Sequence, residues 1–174
     1  MDFSRIDDIF SREIVRGGEA YLDGQLRVAT SADQRASSLA GMFTAAATAL
    51  LAATVALANP AWNVPGHFAL MIGAVSAAVL FLCGAVQCLR VIMPVSFWLP
   101  GCEPENWDSD VTAGKKLHDC FGERADHIQE QIAANLQVIE TNAKKFRLGA
   151  ACGIAAPFVG FALWAAASAG HWTG

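Results

Sequence analysis

The sequence predicts an all-α integral membrane protein: three transmembrane helices with a cytoplasmic helical bundle, formed by the N-terminal segment and the long helix before the third span. Three observations carry this. Charged residues make up 16% of the 174 and hydrophobic ones 54%, whereas a typical soluble domain is about 25% charged. Three stretches, 36–66, 68–89 and 148–170, hold no Asp, Glu, Lys or Arg. Each covers the ~20 residues that ~30 Å of hydrocarbon demands. Finally, all 12 basic residues fall between 5 and 35 or between 90 and 147, a one-sided placement relative to those stretches.

The same counts exclude several classes. A chain this apolar is not disordered. A net charge of −4 gives no electrostatic case for binding nucleic acid. Five cysteines, odd in number and without a C-x-x-C, imply neither a disulfide framework nor a zinc site.

Residues 1–35 read as cytoplasmic amphipathic helices interrupted at Gly17-Gly18, because glycine weakens a helix. Phe3, Ile6, Phe10 and Ile14 recur at three- and four-residue steps and so share one face. With an acid-rich opposite face, that stripe is expected to pack on other helices rather than on lipid. The acidic start MDFSRIDDIF lacks the basic-then-apolar pattern of a signal peptide.

Residues 36–90 read as a transmembrane hairpin with spans near 37–58 and 67–90. Residues 91–147 form a cytoplasmic loop and long helix, and 148–174 a third span with a short outer tail. Positive residues favour the cytoplasmic side, which puts the N-terminus and 91–147 inside the cell and the C-terminus in the periplasm. Trp62 and Trp172 would then sit at the outer interface and Trp98 at the inner one.

Pro94, Pro100 and Pro104 interrupt helix after the second span. Glu103, Glu105, Asp108 and Asp110 cluster there, but their spacing matches no EF-hand loop and reads as a solvated acidic loop. From about Lys115 one helix is expected to run into the third span. Ala125, Ile132, Ile139 and Phe146 fill its a positions, and Phe121, Ile128, Asn135 and Asn142 its d positions. Such a seam suits a coiled coil or bundle whose register matters, or an amphipathic helix packing on residues 1–35 of its own chain. Asn135 and Asn142 stand where apolar residues would hold more tightly, so replacing both with Leu is expected to stabilise the seam.

No catalytic constellation is present. His118, Asp119, Cys120, Glu123 and His127 gather metal-ligand types without an H-x-x-x-H and read as a solvated face. G-x-S-x-G, G-x-G-x-x-G and P-loop patterns are missing, and no cofactor is implied. The spans instead carry small residues at helical spacing. Gly149 and Gly153 form a G-x-x-x-G, Gly73 and Ala77 a small-x-x-x-small pair, and Gly41, Ala45 and Ala49 extend the pattern. Small residues let helix backbones approach closely in lipid.

Ala32-Asp33-Gln34-Arg35-Ala36-Ser37 stands at the mouth of the first span. It resembles the A-D-x-K-A signature that opens the membrane domain of Pycsar effectors, bacterial anti-phage proteins. The downstream order is similar too: two spans, Pro94, a long cytoplasmic helix, then Asn142-Ala143-Lys144-Lys145-Phe146-Arg147 entering a final span. Arg35 replaces the signature lysine, and no separate nucleotide-binding domain is recognisable in the sequence. The resemblance implies a non-enzymatic inner-membrane effector that self-associates and impairs the membrane on a cyclic nucleotide or partner signal. Read from the residues alone, Asp33 and Arg35 anchor topology, with Arg35 snorkelling to the headgroups. A small accessory subunit of a larger membrane complex is the other reading.

A reporter that is active only outside the cytoplasmic membrane, fused after Gly174, is expected to be active. Silence there, with activity from a cytoplasmic reporter at the same point, would overturn the three-span count.

Overall fold

The computed structural model describes residues 7–59 and 66–170. Among them every regular element is helical: α1 (Asp8–Leu57), α2 (His67–Ile92), a 3-10 turn (Pro104–Trp107), α3 (Asp108–Thr112) and α4 (Leu117–Gly170). Helices α1, α2 and α4 are long and apolar enough to cross a membrane. Phe3, Ile6, Trp62 and Trp172 lie outside the described residues. The chain divides into two compact units, Met1–Ser31 with Pro94–Thr141 and Ala32–Met93 with Asn142–Gly174.

The expected break at Gly17-Gly18 does not occur: α1 runs through it. Two mid-helix glycines cost about 1 kcal/mol each relative to alanine, and packing offsets this at Gly18. A β-carbon there would lie 2.6 Å from Ile128 Cγ2 of α4, so only glycine admits that branched side chain. The start of α1 is fixed by Asp7, whose carboxylate accepts the Phe10 N–H at 2.8 Å, as an N-cap residue does.

The packed face of α1 in the first unit also differs from the expected stripe. Phe10 is 59% exposed and Ile14 half-buried, whereas Ser11, Val15, Leu22 and Gln25 are buried. Val15 and Leu22 form the core with Ile128, flanked by Phe121, Ala125 and Ile132. Because α4 supplies the bulk, α1 answers with smaller groups. Ser11 is buried without an orphaned hydroxyl, since its Oγ donates to the Asp7 carbonyl at 3.0 Å.

The second unit is packed in the opposite sense from a water-soluble core. Its buried positions are Ala36, Ala40, Ala47 and Thr54 on α1; Ala69, Gly73, Ala77, Ala78, Gly84, Ala85, Cys88 and Val91 on α2; and Gly149, Gly153, Ala156 and Gly160 on α4. Bulk faces outward: Val55 is 74% exposed, Phe158 70% and Ile154 68%. Water would penalise such a surface at roughly 25 cal/mol per Å², whereas lipid tails would not, and small interior residues are what close helix packing in lipid requires.

The contacts are backbone to backbone. A β-carbon on Gly73 would lie 2.6 Å from the Gly160 carbonyl oxygen, and one on Gly84 would lie 2.9 Å from that of Gly149. A side chain at Gly153 would collide with the Phe43 ring, and one at Gly149 would come within 2.9 Å of Cys88 Sγ. Hydroxyls in these segments stay satisfied by bonding back one turn: Thr44 to Ala40, Thr54 to Leu50 and Ser76 to Ile72, all at 2.7–2.8 Å. Helix α4 continues through Pro157, which supplies no N–H for the Gly153 carbonyl.

Gly160→Leu is expected to destabilise the protein in mild detergent by about 1–3 kcal/mol, the usual cost of overpacking. Gly41→Leu, where nothing lies within 4 Å, should leave thermal melting of the single chain unchanged. Equal melting temperatures for both variants would contradict the close approach of α2 and α4.

Candidate functional site

The first unit is held by polar side chains that grip main chain. Asn135 is fully buried on α4. Its Oδ1 accepts the Trp98 N–H and its Nδ2 donates to the Trp98 carbonyl, both at 2.9 Å. One carboxamide thereby satisfies both backbone groups of a residue in the irregular segment that follows Pro94. The expectation that Asn135 weakens the seam is overturned, since a leucine would leave that donor and acceptor without partners. Gln25 on α1 grips main chain with one end only, its Nε2 donating to the Ile132 carbonyl at 3.1 Å while its buried Oε1 has no hydrogen-bond partner.

Arg124 joins three segments. Its Nη2 donates to the Gly101 carbonyl at 2.6 Å and lies 3.4 Å from Glu19 Oε1 of α1. Its side chain is only 10% exposed, and the buried Nε has no hydrogen-bond partner. Gly101, at φ 97°, takes a conformation that favours glycine, which turns its carbonyl into reach.

The loop is closed again at Lys115. Helix α3 ends with Gly114 at φ 62°. The Lys115 N–H bonds the Asp110 carbonyl at 3.0 Å and the Gly114 N–H the Val111 carbonyl at 3.1 Å, the paired closure of a Schellman motif. This returns the Lys115 ammonium to Glu123 at 2.8 Å and Asp110 at 2.9 Å. The hydrogen bonds that the ammonium donates to Glu123 and then Asp110 raise its pKa above the ordinary lysine value. A raised lysine pKa contributes stability that is complete below the unfolded value of about 10.4 and lost only as pH rises through the folded one. This clip is therefore constant across the physiological range.

Between this loop and α4 lies a half-open cavity of about 420 Å³ whose lining includes Trp107, Asp110, Lys115, Arg124, His127 and Gln131. Trp107 stands edge-on to Phe121, with ring centroids 6.4 Å apart, so one wall is a fixed aromatic. The volume suits a small molecule. Cys120 also lines it, but burial, and next the Asp110 charge, push its thiol pKa up. A protonated thiol is a poor nucleophile.

The remaining sequence candidates fall as follows. Ile128 is buried, Ile132 packs against it, and Ile139 is half-buried. Asn142 is half-buried; its Nδ2 donates to the Val91 carbonyl at 3.3 Å, and its Oδ1 accepts from Lys145 Nζ at 3.2 Å. Lys145 Nζ also reaches the Arg90 carbonyl at 3.4 Å. Two α4 side chains thus cap the last carbonyls of α2, which a helix leaves without internal partners.

Ala36 is fully buried beside Val91 and Phe146, Asp33 is half-buried and Arg35 exposed. Residues 32–37 and 142–147 therefore meet at one cluster. Glu123 is engaged by Lys115, His118 lies 3.3 Å from Asp119, and His127 3.8 Å from Glu130. No group of three or more metal-ligating side chains is assembled among the described residues. Arg124, Gln25, Lys115 and Trp107 were not legible as functional in the sequence. The one available signal was Gly114 followed by lysine, the end of a short helix. No protein family, curated protein or solved structure matches this chain.

Asn135→Leu is expected to destabilise the first unit by roughly 1–3 kcal/mol, because it removes both hydrogen bonds to the part-buried Trp98 N–H and carbonyl. Thermal melting and amide exchange over 94–99 would register it. A gain in stability would restore the weak-seam reading.

Proposed function

We propose that the chain is a non-enzymatic protein of the bacterial inner membrane, with its N-terminus and residues 91–147 in the cytoplasm and its C-terminus in the periplasm. In this reading it self-associates and impairs the membrane in anti-phage defence when a nucleotide or a partner acts on the first unit. The observation that carries it is the inverted packing of the second unit, with glycine and alanine inside and Val55, Ile154 and Phe158 outside. The reading takes its effector role from the resemblance of residues 32–37 and 142–147 to Pycsar effectors, and Ala36 and Phe146 of those stretches pack in one cluster. The cavity beside Trp107 is the place where a small signal would act.

An accessory subunit of a larger membrane complex is the second reading. It is favoured by the exposure of Gly41, Ala45 and Ala49 on α1, a small-residue face open to a helix of any neighbouring chain. Induced expression in a bacterium, followed with a membrane-potential dye and by sizing in mild detergent, separates the two. The effector reading expects a homo-oligomer and depolarisation with loss of viability. A monomer or hetero-complex that leaves the potential intact would overturn it in favour of the subunit.

A further inference from the structure

The charges of the chain are divided unevenly. The second unit holds Arg35, Arg90, Lys144, Lys145 and Arg147 against a single acid, Asp33, although the chain as a whole carries −4. These bases lie at one end of the unit. Ala36, next to Arg35, packs in one cluster with Val91, next to Arg90, and with Phe146, which lies between Lys145 and Arg147. Arg90, Lys144 and Arg147 are exposed. Away from this end, residues 39–59, 66–89 and 148–170 contain no charged side chain apart from His67 when protonated. The collar therefore adjoins an apolar surface directly: Leu89 precedes Arg90 and Leu148 follows Arg147, and both leucines are about half exposed.

We propose that this collar binds anionic phospholipid headgroups, with Arg90, Lys144 and Arg147 donating hydrogen bonds to phosphate oxygens and Leu89 and Leu148 lying against the acyl chains. A zwitterionic headgroup brings its own cation and cancels the attraction, whereas an anionic one answers the excess of positive charge. A basic residue near an anionic membrane surface strengthens association by about fivefold. A free phosphate shares the headgroup chemistry but has nothing to place against the leucines. The inference rests on α1, α2 and α4 spanning a bilayer. It does not depend on the membrane being damaged, so the depolarisation experiment can fail while this one succeeds.

The test is lipid retention. The full chain is extracted from bilayers of equal phosphatidylglycerol and phosphatidylcholine, and the lipids it keeps are quantified by mass spectrometry. Wild type is expected to enrich the anionic lipid about tenfold or more, less so at high salt. Arg90→Gln with Lys144→Gln and Arg147→Gln should retain the two lipids equally, while the charge-keeping Arg90→Lys, Lys144→Arg and Arg147→Lys set retains the preference. Should the triple glutamine variant lose its helical circular dichroism, Lys144→Gln alone, at an exposed position, is expected to cut enrichment by about fivefold. Equal retention by wild type, or enrichment untouched by a folded glutamine variant, would overturn the proposal. So would displacement of the lipid by inorganic phosphate at constant ionic strength, which would identify a soluble-anion site.

Discussion

The second unit depends on one constraint: α2 and α4 approach until backbone meets backbone. Gly73 faces the Gly160 carbonyl and Gly84 faces that of Gly149, and no other residue type fits at those crossings. In lipid there is no hydrophobic gain from helix association, so dispersion at short range must supply the attraction. Such contacts are individually small and vanish with a gap of an ångström. Close approach is thus a condition for the unit's cohesion, and the outward Val, Leu, Ile and Phe side chains follow from it, since bulk excluded from the interior has nowhere else to go.

The first unit uses a different means of cohesion. Its apolar core is small, Val15, Leu22 and Ile128 with three flanking side chains, and irregular backbone from Pro94 onward must be fastened to α4. Polar side chains do this where they can donate and accept: Asn135 at Trp98, Arg124 at Gly101 and Lys115 between Asp110 and Glu123. The loop is therefore secured at three points along its length, with a cavity left between the fastenings.

Helix class and the three apolar segments were legible because length and charge exclusion are properties of sequence alone. The glycine pairs were legible as candidates, though sequence could not say that Gly149 faces Gly84 and Cys88 while Gly153 faces Phe43. Two readings failed for one reason: the choice of partner is nonlocal. Gly17-Gly18 looked like a break until Ile128, more than a hundred residues away, took the space at Gly18. Asn135 looked like a flaw in an apolar seam because its partners are main-chain atoms of Trp98, which no periodicity can reveal. The exposed Phe10 is the same lesson reversed, as strong local amphipathicity did not decide which face α4 would cover.

The Asn135 clamp touches Trp98 only through its amide and carbonyl. It is indifferent to the side chain carried there, and any residue that keeps its N–H could occupy the position with the fastening intact. The indole, 53% exposed, takes no part in those two hydrogen bonds. Position 98 is a half-exposed address on a clamped backbone, where an environment-sensitive label would report the surroundings while both main-chain bonds to Asn135 are kept.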